Sequence, residues 1–138
     1  MRLGSLSRAP LYLLRLQVTG NAAECDWIAR EPDPWDIDLA RDIAQRHATL
    51  QALKDAIDIR SLLLDALPDV RTARIRVFRR TSTHSRDLII LGNIRRQDSA
   101  FQSVHSLAMR AKLIGFYFRL ENNLLCRLTR EEQFGFSD

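Results

Sequence analysis

The stretch RTARIRVFRRTSTHSRDLIILGNIRR, Arg71 to Arg96, decides the fold class. Its first ten residues alternate, with Ala73, Ile75 and Val77 on one side of a strand and Arg74, Arg76, Phe78 and Arg80 on the other. After the connection TSTHSR, the run DLIILGNIRR is the most apolar of the chain, the pattern of a strand central in its sheet. Together they predict a hairpin with one apolar face and one basic face around a single aromatic ring.

Upstream, TLQALKDAIDIRSLLLDAL, Thr49 to Leu67, carries Leu50, Leu53, Ile57, Leu64 and Leu67 at the spacing of an amphipathic helix, which Pro68-Asp69 stops. Arg60 falls inside its apolar arc, so its guanidinium either pairs or snorkels at the core edge or lines an anion pocket. Downstream, Ser99 and Gln102 form a capping box for a helix with the stripe Phe101, Val104, Ala108 and Ala111, and Gly115 closes it. FYFRL and LLCRL read as strands around the turn ENN, and TREEQFGFSD as a polar tail that frays.

Before the first long helix, Leu11 to Val18 reads as a strand ended by Gly20-Asn21, and Cys25 to Arg30 as a strand that pairs back on it. ECDWIAREPDPWDIDLARD, Glu24 to Asp42, holds both tryptophans. Pro32 and Pro34 force an extended crossing there, and Asp36 or Asp38 can cap a short helix to about His47. Trp27 and Trp35 are expected to pin this crossing to the core, with Trp35 alternatively a contact for a partner. The whole predicts one α+β domain over 1–138, a mainly antiparallel sheet with helices on one face. It divides into an N-terminal strand and crossing over residues 1–48, an αββαβ core over 49–128 and a tail over 129–138.

The net charge of +4 hides an asymmetry. Glu24 to Asp69 holds five basic and eleven acidic residues, Val70 to Arg119 eleven basic and two acidic, so the halves either neutralise each other or leave a basic binding surface. Cys25 and Cys126 have no metal-ligand spacing and are expected to be reduced. Arg15 interrupts the first apolar run, which argues against a signal peptide and for a cytoplasmic setting, with the cell envelope as the alternative. No run is long enough for a transmembrane helix.

Leu88, Ile90, Gly92 and Ile94, followed by Gly115-Phe116, resemble the strand and helix-end pattern of the BON domain, a small αββαβ module of bacterial envelope proteins. The resemblance covers about half the chain and implies a non-catalytic module that binds membranes, lipids or proteins. The helix between the two motifs is longer here, and Phe116 stands where the family has a small β-branched residue.

Cys25, His47, His84 and His105 sit in no catalytic motif, and the five scattered glycines form no phosphate cradle. The residues that point to binding are Arg74, Arg76, Phe78 and Arg80, with Trp35 and Arg60. Two further readings stand beside a binding or assembly module with a protein partner or second copy, or an anionic membrane. One is nucleic-acid binding by the Arg-rich strand face; the other is a small-molecule enzyme without a recognisable motif. No cofactor is expected.

Overall fold

The computed structural model describes residues 11–30, 40–96 and 106–135. Strand β1, Tyr12–Thr19, turns at Gly20-Asn21, where Gly20 supplies the positive φ of 61°, into β2, Ala22–Ile28. Helix α1, Arg41–Ala66, then crosses to β3, Thr72–Arg80, which pairs antiparallel with β4, Arg86–Arg95. Helix α2, Leu107–Leu113, leads to β5, Phe116–Tyr117, followed by the small hairpin β6, Leu120–Glu121, and β7, Leu124–Leu125, and by α3, Arg130–Gly135.

The five-stranded sheet runs β1-β2-β3-β4-β5. Three of its four pairings are antiparallel; β2 and β3 run parallel because α1 carries the chain from one end of the sheet back to the other. The fold is therefore α+β with a mainly antiparallel sheet, as the strand patterns predict. Asn122 and Asn123, both at positive φ (53° and 64°), make the tight turn between β6 and β7 that ENN signals in the sequence.

The core lies between the sheet and the helices α1 and α2. Trp27 and Cys25 from β2 and Ala73, Ile75 and Val77 from β3 meet Leu53, Ala56, Ile59 and Leu63 from α1. Burying a large apolar side chain contributes about 1.5–3 kcal/mol, so this layer dominates the stability. Trp27 is an anchor, fully buried within β2; Trp35 lies outside the described residues, as do Asp36, Asp38, Ser99, Phe101, Gln102, Val104 and His105.

Several expectations are corrected. Helix α1 is continuous through Ala48 and Thr49 where a break was expected. Thr49 is buried, and its hydroxyl accepts the Leu125 N–H at 3.2 Å, tying the middle of the helix to β7. Leu50 is 52% exposed, because the buried side of α1 runs through Leu53, Ala56, Ile59 and Leu63 and leaves Leu50 beside it. The central strand is β3, not β4. The apolar run of β4 reflects two covered faces: Ile90 and Ile94 face α1, whereas Leu88 and Leu91 meet Leu128, Phe78 and Tyr117 on the other side. A bulge opposite Val77 separates Leu88 from Ile90, so the four residues of the resembling pattern do not share one face.

The tail is the other correction. Thr129 and Glu132 form a reciprocal capping box, with the Glu132 N–H donating to Thr129 Oγ1 at 3.2 Å and the Thr129 N–H to Glu132 Oε1 at 3.0 Å. This starts α3, and Tyr117 Oη donates to the same Glu132, seating the helix over the sheet face opposite α1. Gly92 and Gly115 meet at the β4–β5 pairing. A Cβ on Gly92 would stand 2.7 Å from the Phe116 ring, and one on Gly115, at φ 112°, would run into the Asn93 carbonyl oxygen.

Two arginines serve the scaffold. Arg60 is buried and donates to the Arg95 carbonyl at 3.1 Å. Arg96 donates to the carbonyls of Val70, Leu64 and Leu67 at 2.7, 3.0 and 2.8 Å, so a residue after β4 satisfies the C-terminal carbonyls of α1, whose last turn holds no basic residue.

Candidate binding face

The sheet face away from α1 and α2 is polar because alternate residues of β1, β2 and β3 fall there in register. Asp26 lies between Arg15 and Arg76, and Glu24 between Gln17 and Arg74. Together with Arg130 and Gln133 from α3, Arg15, Glu24, Asp26, Arg74 and Arg76 line an open depression of about 580 Å³. Arg130 and Gln133 also wall a neighbouring depression of about 370 Å³ beside Phe78, Arg86 and Leu128, so α3 divides one polar surface into two hollows.

Asp26 organises the larger hollow. Its carboxylate is almost fully buried and takes a bidentate pair from Arg76, Nε to Oδ1 and Nη2 to Oδ2 both at 2.7 Å, and Arg15 Nε at 3.2 Å. Burial pushes the Asp26 carboxyl up, but the hydrogen bonds from Arg76 and Arg15 outweigh it and hold the group below its usual range. Arg15 also reaches Glu24 at 3.3 Å. The Arg76–Asp26 pair joins the basic and acidic regions of the sequence, so some of the charge asymmetry is neutralised within the chain.

Arg74 is different. It is half-buried, its Nε is buried without a hydrogen-bond partner, and it makes no ion pair with any described residue. Its neighbour in register, Glu24, is turned to Arg15. A guanidinium without an ion pair in an open polar hollow offers two parallel N–H donors to an incoming carboxylate or phosphate.

Phe78 is at the same face but not open. Arg86 lies over its ring at 4.6 Å from the centroid and Arg76 at 5.4 Å, while the ring packs beside Leu88 and Leu91. Arg80 is elsewhere: at the end of β3 it lines, with Arg79, Ala48 and Leu125, a groove of about 740 Å³ between α1 and the β6–β7 hairpin. That groove runs to Arg30, the last described residue before 31–39. Arg60 is on α1, behind the sheet, and outside the hollow.

Strand alternation identified Arg74 and Arg76, but not Arg15, Asp26 or Arg130. Their proximity depends on the parallel β2–β3 pairing and on α3; the readable signal for α3 was the Thr129-x-x-Glu132 box.

Among the residues considered for catalysis, Cys25 is sealed in the core, where burial pushes its thiol up to about 12, and His47 and His84 are exposed. Cys25 and Cys126 are both free thiols. Among the described residues no group of three His, Cys, Asp or Glu side chains is placed to hold a metal, and no helix is long and apolar enough to cross a membrane. No family model, curated protein or solved structure matches the chain.

Proposed function

We propose that this chain is a non-enzymatic binding or assembly module whose polar sheet face docks an acidic segment of a protein partner. The observation that carries the reading is Arg74, half-buried in a hollow between Arg76 and Arg130, with no acidic partner among the described residues. Asp26 and Glu24 engage the neighbouring arginines, so a carboxylate from outside meets Arg74 without displacing an internal pair. The Phe78 ring, with guanidiniums of the chain itself over it, is a poor platform for base stacking.

The order α1-β3-β4-α2-β5 is the αββαβ order of BON domains, which supports membership of that group of non-catalytic modules as part of the proposal. Two free thiols accord with a cytoplasmic setting.

The test is a titration of the full chain with an oligoglutamate peptide, single-stranded RNA and anionic vesicles, each at rising salt. The proposal expects saturable binding of oligoglutamate that weakens as salt screens it. Binding of RNA or vesicles with none of oligoglutamate would move the function to the nucleic-acid or membrane class. Binding of none of the three would remove the acidic-segment reading.

A further inference from the structure

A second feature, independent of the basic face, lies at the β1 edge of the sheet. Strand β1 pairs with β2 on one side and, among the described residues, with nothing on the other. Eight described large apolar residues are well exposed, and four of them, Tyr12, Leu13, Leu14 and Val18, fall on this one eight-residue strand. An edge that presents both unpaired main-chain groups and apolar side chains is a template for another strand. Proteins that keep such edges monomeric blunt them with charged side chains, lysine above all, with proline or with a bulge. Here the bulge at Leu14 disturbs only the beginning of β1, leaving Arg15 to Thr19 as a regular stretch without lysine or proline, whose one charge, Arg15, is drawn across the polar face to Asp26 and Glu24.

We propose that β1 pairs antiparallel with β1 of a second copy, about a two-fold axis through Gln17. The sequence selects both the occupant and the register. In a two-fold antiparallel pair each residue faces one equidistant from the axis, and facing residues share a face of the sheet. With the axis at Gln17, Leu16 faces Val18 twice, Arg15 faces Thr19, and the two Gln17 amides meet. An axis at Arg15 would set two guanidiniums against each other, which is destabilising. An axis at Leu16 would carry the Leu14 bulge into the ladder opposite Val18. An axis at Val18 would leave only Gln17 to Thr19 paired within the strand. Among these registers the one at Gln17 buries Val18, extends the apolar row of Leu16, and opposes no like charges over the longest regular stretch. An axis perpendicular to the sheet also leaves the two polar faces on the same side, forming one continuous surface across two five-stranded sheets.

A five-residue strand pair is smaller than the roughly 800 Å² per partner of a standard interface, so the dimer is expected to be weak and concentration-dependent. Sedimentation equilibrium of the full chain should show a reversible monomer–dimer equilibrium. Val18→Lys, at a side chain already 38% exposed in the monomer, should weaken dimerisation at least about tenfold while the melting temperature of the dilute protein stays unchanged. The register is read by cysteine cross-linking in a Cys126→Ser background, which leaves only the buried Cys25. Gln17→Cys should form a disulfide-linked dimer under mild oxidation, because residues facing each other across an antiparallel pair lie within disulfide reach. Thr19→Cys, four positions out of register with its own copy, should not. A chain that stays monomeric at its highest soluble concentration overturns the proposal. So does a dimer indifferent to Val18→Lys, or one in which Thr19→Cys cross-links as readily as Gln17→Cys.

Discussion

The two faces of β3 are built from alternate residues of one nine-residue strand, yet they obey different physics. On the inner face Ala73, Ile75 and Val77 are buried against α1, and their contribution comes from water excluded and space filled. On the outer face Arg74, Arg76 and Phe78 are half-buried, and what holds them is pairing: Arg76 with Asp26, Phe78 beneath two guanidiniums, and Arg74 with no ion pair to a described residue. The inner face leaves nothing for a partner. The outer face leaves Arg74 without an ion pair to any described residue, in an open hollow of about 580 Å³.

Substitutions that act on one face alone sharpen this contrast. The largest effect is expected inside. Ile75→Ala removes a fully buried side chain at the centre of the sheet and should lower the unfolding free energy by about 2–5 kcal/mol, measured by denaturant titration. If the core collapsed onto the gap at little cost, the inner face would not be a tightly packed layer.

Asp26→Asn comes next. It leaves Arg76 and Arg15 facing a neutral amide, and because both arginines are more than a third exposed the cost falls below that of a sealed ion pair, at about 1–3 kcal/mol. Acid titration separates its cause. The folded-state Asp26 carboxyl titrates below its unfolded value of about 3.9. Its stabilisation is therefore complete above that pH and lost as pH falls through the lower, folded value. The Asn variant should lose some of this acid dependence and be less stable than the parent mainly at neutral pH.

Arg96→Ala is expected to have a smaller effect, about 1–2 kcal/mol, since the carbonyls it serves, Leu64 and Leu67 at the end of α1 and Val70 just beyond it, can be reached to some extent by water. Hydrogen exchange should show the loss at the last turn of α1 rather than across the sheet.

The inner face was legible in the sequence because burial writes itself into period two along β3 and period 3.6 along α1. The errors have physical sources. Leu50 completes an apolar spacing, but the buried line of α1 runs through Leu53, Ala56, Ile59 and Leu63 and leaves Leu50 in solvent. The apolar run of β4 reflects two covered faces and not a central position; its second cover, Leu128, stands at the end of the segment LLCRL, which as a strand gives no sign of crossing the sheet, and just before the capping box that starts α3. The outer face was half legible. Alternation exposed Arg74 and Arg76, whereas their relation to Asp26 required the parallel register of β2 on β3, which joins residues 50 positions apart and leaves no local pattern.

The central claim is that the outer face binds and the inner face only holds the fold together, and Arg74→Ala tests it most directly. The variant's unfolding free energy should stay within about 0.5 kcal/mol of the parent, because no ion pair with a described residue is lost. Its affinity for oligoglutamate should fall at least about tenfold, the share expected of one bidentate guanidinium–carboxylate contact. A variant that unfolds easily while binding the peptide as well as the parent would contradict the account, making Arg74 an element of the scaffold and the hollow a by-product of the fold.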